Sequence, residues 1–391
     1  MLNKKEQKYL IGLFVFIIFS ISISQGIIEI RRSETPHILT LFTNQPSEAN
    51  LRSFEDKLVE VSFIENYIRP TMLYLYYQLG YAGSKAVKGL DSWLFYRPAL
   101  DYVTGPYYDD SRIIATVNAE PKQDWNVVEA IMDLRDQLAA KNIDLVILPI
   151  PSKIEIFPDK ATTRHLELDN SAFAHTARFI GELQRHQVEV INLFPYFMHD
   201  RFENDKTAKE ELFLAHDTHW SGRGIELAAK IIAGRIKQCK WYSESKDRTP
   251  YLLKDTIVQR YGDLVTMMNI LNYNEMFGFE SVHCTQVISQ NTNKLYSDSK
   301  NSPILYLGDS FSRIYQTDEP TSAGLISRLA YELQMPLTTI VNDGGASTLV
   351  RQQLARKSKL LDNKKLVIWE FVDRDLRFGM KGWKKIKIFE N

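Results

Sequence analysis

Cysteine is almost missing: Cys239 and Cys284 are the only thiols in 391 residues. Two cannot form the disulfide framework of a small secreted scaffold, and without C-x-x-C spacing they do not suggest zinc. They read as separate thiols, although an oxidising compartment would allow them to pair. An excess of charge is missing too. Basic and acidic residues both number 48, so nothing in the balance attracts a nucleic-acid backbone, and no nucleic-acid partner is expected. The basic pieces Lys364-Lys365 and Lys384-Lys385-Ile386-Lys387 read as solvated surface. There is no internal repeat and no low-complexity tract, which argues against a solenoid.

One long apolar run is present. Lys4, Lys5 and Lys8 precede an uncharged stretch, Tyr9 to Ile28, long enough to cross a bilayer at about 1.5 Å per residue. The lysines should stay in the cytoplasm and leave the bulk of the chain on the far side. Arg31 and Arg32 weaken that rule, with Glu29 and Glu34 beside them. Ser22 and Ser24 before Gln25 also fit a weak signal-peptidase site. The lack of a polar segment before Gly26 favours an uncleaved anchor, and either reading puts the rest outside the cytoplasm.

The chain is expected to divide into a cytoplasmic tail and anchor (1–30), a tether and helical segment (31–85), and a catalytic domain (86–391) with an insertion at 242–301. The apolar positions between Leu51 and Leu79 are expected to pack as core against the catalytic domain, with a place near the membrane surface as the alternative. From Gly89 onward, strands alternate with amphipathic helices. Asp124 reads as the cap of a helix through Val127, Ile131, Leu134 and Leu138. The strand Leu145 to Leu148 follows, stopped by Pro149 and Pro151. After a helix around 171–186 comes the strand Val188 to Leu193, and Ser221 caps a further helix. The strands Ile304 to Leu307, Leu337 to Val341 and Leu366 to Phe371 complete the rhythm. The pattern predicts an α/β fold with a parallel sheet covered by helices on both faces.

Two stretches carry the chemistry: His216-Asp217-Thr218-His219-Trp220 and Gly308-Asp309-Ser310-Phe311-Ser312. Ser310 leaves a buried strand, over the carboxyl edge where open α/β sheets bind ligands. If the first stretch is extended, Asp217 and His219 face one side, and the carboxylate orients an imidazole that takes a proton from Ser310. Each stretch has a plainer reading. Gly-Asp-Ser is ordinary turn chemistry, and two histidines three apart suit a metal if helical. Ser221-Gly222-Arg223-Gly224 puts the helix start after both histidines, so no metal site is expected.

Gly89 to Tyr96, Pro151-Ser152-Lys153, Asp217 to Trp220, Gly308 to Ser312, and Ile368-Trp369-Glu370-Phe371 with Arg374 occur together in an order that resembles the SGNH-hydrolase-like alginate O-acetyltransferases of the bacterial periplasm. The resemblance implies a permuted Asp-His-Ser order, with Ser310 as nucleophile, His219 as general base and Asp217 as its orienting partner. It also implies an enzyme anchored in the inner membrane with its catalytic domain in the periplasm. Acetyl would pass from a membrane-bound O-acyltransferase through Ser310 to an exopolysaccharide, with no cofactor.

Asn342, Gly344 and Gly345 are candidate oxyanion contacts or a plain turn. Trp93, Trp220 and Trp369 could offer aromatic platforms to a glycan, but core packing is the favoured reading for them, with Trp220 the best exception. Lys153 and Arg374 fit either substrate contacts or internal ion pairs. A carbohydrate esterase with the same triad, or a non-catalytic scaffold of a secretion complex, are the competing readings.

Overall fold

In a computed structural model of the chain, the described residues are 4–43, 45, 47–109, 126–163, 172–204, 210–245, 248–270, 276–378 and 382–389. They divide into two compact units, one of the chain up to Gly80 together with Asn269–Leu271, the other of everything else.

The first unit begins with helix α1 (Lys4–Arg31), which is long and apolar enough to cross a membrane. A long uncharged, largely apolar run with no proline produces it, in spite of Gly12 and Gly26. Its end is pinned within the unit: Gln25 Nε2 donates to the Val61 carbonyl at 2.9 Å, and the Phe63 N–H donates to Gln25 Oε1 at 2.9 Å. Helix α2 (Glu48–Val61) is capped by Ser47 and buries none of its residues. Helix α3 (Arg69–Gln78) buries only Pro70 and Tyr77. The core packing expected for this stretch is therefore not found, and Leu51, Leu58, Ile68, Tyr74 and Tyr76 are exposed. Arg52, Glu55, Asp56, Lys57 and Glu60 leave α2 too narrow an apolar stripe to build a core.

In the second unit, β1 (Ala86–Lys88) and β2 (Leu94–Tyr96) form a small antiparallel pair that leads into α4 (Arg97–Thr104). Helix α5 (Val127–Ala139) is capped by Asn126, whose side chain accepts the Glu129 N–H. The expected cap, Asp124, lies outside the described residues. Strand β3 (Asp144–Ile150) runs through Pro149 instead of stopping there. The Ile147 carbonyl accepts a bond from Ile191 on the side of the next strand, and Pro149, two residues on, faces that same side after the neighbouring ladder has ended at Ile147. Its missing N–H costs no ladder bond.

Helix α6 (Ala174–Arg185) precedes β4 (Glu189–Val190), shorter than the run Val188 to Leu193 suggested, and α7 (Phe194–Asn204). Ser221 caps α8 (Gly222–Ile236), which buries Ile225, Ala228, Ala229, Ile232 and Ile236. The interval after α8 holds a long antiparallel hairpin, β5 (Tyr251–Arg260) and β6 (Glu280–Ser289), with α9 (Asp263–Met268) between its strands. Strand β7 (Ile304–Gly308), α10 (Leu325–Leu333), β8 (Thr338–Val341), α11 (Leu349–Arg356) and β9 (Leu366–Val372) follow.

The central sheet has the order β4-β3-β9-β7-β8 and every pairing in it is parallel. All residues of β7 and β9 are buried, the unbroken apolar pattern of strands covered on both faces. From β3 the chain moves outward to β4, and from β7 it moves the other way to β8. The loops therefore diverge at the carboxyl edge around β9, where such sheets open a crevice. Trp369 anchors this centre: it is fully buried, donates its indole N–H to the Ala346 carbonyl at 2.8 Å and packs on Phe371 and Trp383. Trp369→Ala is expected to cost about 3–5 kcal/mol, read as a fall in the urea midpoint of the second unit at unchanged slope.

Candidate active site

Strand β7 ends in a turn that lifts Ser310 to the carboxyl edge. Asp309 caps the one-turn helix Ser310–Arg313; its Oδ1 accepts the Phe311 N–H at 2.8 Å and its Oδ2 the Val372 N–H at 3.1 Å. Glu370 on β9 braces the same turn. Its Oε2 accepts the Asp309 N–H at 3.0 Å and lies 2.5 Å from Ser312 Oγ. A Cβ at position 308 would come within 2.5 Å of that carboxyl oxygen and 2.8 Å of the Tyr306 ring, so glycine is what allows the brace to close. Gly-Asp here is turn chemistry, and that chemistry presents the half-buried Ser310.

The His216 to Trp220 segment is a series of bends, not the extended strand expected. Asp217 and His219 come together for another reason: Asp217 Oδ1 accepts the backbone N–H of His219 at 3.0 Å, an Asx-type capture, and also meets its ring Nδ1 at 2.7 Å. The segment is gripped from several sides. Leu94 donates its N–H to the Ala215 carbonyl at 2.9 Å. Glu280 accepts the Ala215 and His216 N–H groups at 2.8 and 3.0 Å. Lys153, buried behind β3, donates to the carbonyls of Leu214, Ala215 and Asp217 at 2.9, 3.0 and 2.7 Å. Burial pushes its ammonium down to about 8. Among the described residues Lys153 therefore makes no ion pair, the internal role left open for it; its internal partners are backbone carbonyls.

The two segments meet. His219 Nε2 lies 3.0 Å from Ser310 Oγ, and Asp217, fully buried, braces the other ring nitrogen. The network fits Nδ1–H donating to Asp217 and Nε2 accepting from the serine hydroxyl. Two residues that the sequence reading missed complete the surroundings, both from the interval taken as an insertion. Arg260 Nη2 lies 3.1 Å from Asp217 Oδ2. Asp263 donates its N–H to that same oxygen at 3.2 Å. The Asp263 carboxylate accepts from Thr218 N–H and Oγ at 2.7 and 2.5 Å and stands 3.6 Å from His219 Nδ1. The local signal, a turn at Gly262-Asp263 after a strand, does not distinguish a site residue from a loop.

Burial raises the Asp217 carboxyl, but its bonds to His219 and the Arg260 charge outweigh this and hold it well below the usual range. Burial lowers the His219 imidazole; the hydrogen bond and charge of Asp217, helped by Asp263, overturn that and leave it raised. Asp217, His219 and Asp263 offer ligand atoms within 4.8 Å of one another, yet the bonds among them, Thr218 and Arg260 already account for the grouping. His216 turns away, edge-on to Phe277, with Nδ1 3.7 Å from Glu280.

The remaining candidates divide. Trp220 is fully buried and donates its indole N–H to the Phe311 carbonyl at 3.1 Å. It ties the residue after His219 to the residue after Ser310, and it is no glycan platform. Trp93 and Trp369 are buried too. The Gly345 N–H closes a turn onto the Asn342 carbonyl at 3.0 Å, so it is not a spare oxyanion donor; Gly344, at φ 62°, supplies the left-handed turn. Arg374 differs from Lys153. It is half-buried, its guanidinium lies 5.0 Å from the Tyr96 ring and 5.7 Å from the Phe311 ring, and no ion-pair partner reaches it among the described residues. Cys239 and Cys284 are both free.

Residues 86–373 match the family described as SGNH hydrolase-like domain, acetyltransferase AlgX. The chain is 23% identical over 298 residues to a probable alginate O-acetylase AlgJ of Pseudomonas fluorescens, covering 74% of this chain and 68% of that one. It is 27% identical over 154 residues to a probable alginate O-acetylase AlgJ of Pseudomonas syringae pv. tomato, covering 39% of this chain and 33% of the relative. The O-acetyltransferase domain of Pseudomonas putida AlgJ has a similar fold, with a TM-score of 0.56 at 17% identity, over 76% of this chain and 93% of that domain. Pseudomonas aeruginosa AlgX superposes with a TM-score of 0.53 at 17% identity, over 73% of this chain and 61% of AlgX.

The site makes a titration prediction. The His219 imidazole, followed by ring NMR, should titrate above the ordinary value of about 6.5, and Asp217→Asn should bring it below that value because burial remains while the charge is gone. The sign for stability follows from linkage: a raised value makes protonated His219 stabilising below about pH 6.5, a contribution lost as pH rises through the folded value. The depressed Asp217 contributes above about pH 3.9 and is lost as pH falls through its folded value.

Proposed function

Because the chain belongs to the SGNH hydrolase-like AlgX acetyltransferase family, we propose that it is a membrane-anchored periplasmic O-acetyltransferase that passes acetyl through a serine acyl-enzyme to hydroxyls of an exopolysaccharide, alginate or a similar polymer. The observation that carries the reading is the unbroken hydrogen-bonded run from Asp217 through His219 to Ser310, opening at the carboxyl edge of a parallel sheet. Relatives named as probable alginate O-acetylases support the substrate class. The apolar helix α1 supports anchoring, with the membrane-bound O-acyltransferase as acetyl donor in the same bilayer.

In the first half-reaction Ser310 Oγ attacks the acetyl carbonyl of an activated donor and its proton passes to His219 Nε2. Asp217 stabilises the imidazolium that results. The tetrahedral oxyanion collapses, the donor's leaving group departs with that proton, and the acetyl ester remains on Ser310. In the second half-reaction His219 takes the proton of a sugar hydroxyl as its oxygen attacks the ester, and returns it to Ser310 when the acetylated sugar leaves. The Ser310 N–H, at the first position of its helical turn, has no acceptor within that turn and serves as an oxyanion donor. Arg374, flanked by aromatic rings at the edge of the site, is the group on this chain best suited to an acceptor carboxylate.

The test is the full chain with an activated acetyl ester and a uronate oligosaccharide. Acetylated sugar with little free acetate is expected, Ser310→Ala should lower the rate by about 10³-fold or more, and the same variant should abolish polymer acetylation in cells. Free acetate alone would mean an esterase, and unchanged acetylation in cells would leave a scaffold. Arg374→Met should raise KM for the anionic oligosaccharide about tenfold, the scale of one charge-assisted hydrogen bond, with kcat for hydrolysis of the neutral ester little altered.

A further inference from the structure

The pocket beside His219 holds one carboxylate more than a triad needs. Nδ1 is 2.7 Å from Asp217 Oδ1 and 3.6 Å from Asp263 Oδ2. A buried and a half-buried carboxylate with ligand atoms within 4.8 Å of each other resist being ionised together, and a proton taken up by the pair can settle on either. On Asp217 it would remove the charge that orients and stabilises the imidazole.

The hairpin breaks the symmetry. Arg260, at the end of β5, puts Nη2 3.1 Å from Asp217 Oδ2, and no lysine or arginine reaches the Asp263 carboxylate within ion-pair distance among the described residues. Asp217 collects the His219 N–H, the Asp263 N–H and the guanidinium, whereas Asp263 collects the N–H and hydroxyl of Thr218. Arg260 is largely buried, and its Nε has no partner among the described residues. An unsatisfied buried donor carries a cost that an apolar side chain of the same length would avoid, so what the position retains is the charge.

We propose that Arg260 and Asp263 are positioning residues of the acyl-transfer reaction: Arg260 makes Asp217 the ionised carboxylate facing His219, and Asp263 fixes Thr218 so that the imidazole has one setting. This rests on the reading of Ser310 and His219 as nucleophile and base. The hairpin is then a wall of the active site, and Gly262 belongs to it, because a Cβ there would come within 2.0 Å of the His216 carbonyl oxygen. Other ionisable groups face the cluster. Lys153 bonds the Asp217 carbonyl, Glu280 lies across the loop, Tyr315 lies beneath Arg260 with its ring 5.3 Å away, Arg374 acts on His219, and Glu210 and Cys284 lie behind Tyr315. All are shared by the variants below, so recovery in the double variant isolates the pair.

The experiment uses the full chain as parent, Arg260→Met, Asp263→Asn and the double variant, with the imidazole titration of His219 by NMR and the pH dependence of acyl-enzyme formation from a chromogenic acetyl ester. Arg260→Met lets the proton of the pair settle on Asp217, so it should move the His219 midpoint down and slow acylation about 10²-fold. Asp263→Asn should move the midpoint down. The double variant should return it near the parent value and recover about tenfold of the lost rate. A His219 midpoint that rises or stays put in Arg260→Met, a double variant as slow as Arg260→Met, or midpoints that shift without any change in acylation would each overturn the proposal. If Arg260→Met fails to fold, Arg260→Gln, which keeps the polar side chain and removes the charge, takes its place in the same measurements. Ser310→Ala and His219→Ala in the same assay separate the failures: activity in these sinks the acyl-enzyme reading itself, whereas their inactivity beside a normal Arg260→Met sinks only the role given to the hairpin.

Discussion

The site is organised by one buried carboxylate. Asp217 accepts from the N–H and ring of His219, from Asp263 N–H and from Arg260, and its own carbonyl is held by Lys153. A carboxylate without solvent survives as a charge only when so surrounded. The donors come from three parts of the chain: the bend itself, the segment after β3, and the hairpin inserted before β7, which supplies both Arg260 and Asp263. The fold's elements therefore meet at Asp217 in energy as well as in space, and the imidazole between it and Ser310 inherits its orientation.

Several motifs that mark the family turn out to be supports. Leu94, in the opening motif, bonds the loop at Ala215; Trp93 and Phe95 flank the Lys153 ammonium at 5.6 and 5.3 Å; Glu370 holds the turn of Ser310; and Trp220 ties the two halves together through Phe311. A hydroxyl and an imidazole 3.0 Å apart lose their alignment with small backbone shifts, and rate is steep in such displacement. Much of the family pattern is spent on preventing them.

The sheet, its helices and the meeting of the two short segments were legible because each depends on local pattern. Runs such as Ile304 to Leu307 specify a covered strand, and Gly-Asp-Ser after such a strand specifies a turn at its carboxyl end. What was illegible depends on long-range placement. Nothing local in Arg260 or Asp263 tells where a hairpin will dock, and its alternation of exposed and half-buried residues reads as surface. Trp220 looked like a platform because it follows His219, and the same adjacency forces it inward once the loop bends. Pro149 looked like a stop because sequence does not show that the neighbouring strand ends first.

With the tryptophans buried, the exposed surface beside Ser310 offers an acceptor no aromatic platform from them, and recognition falls to groups such as Arg374 at the edge. In the proposed reaction, transfer has to outrun hydrolysis by placement, since a sugar hydroxyl held against an acyl-serine in near-attack geometry gains an effective concentration far above that of bulk water. One fixed cation oriented by Tyr96 and Phe311 is a means of supplying that placement to an anionic sugar, because a carboxylate bound at a fixed distance from Ser310 selects which hydroxyl arrives there. A neutral glycan would lack the handle and would leave the ester to water.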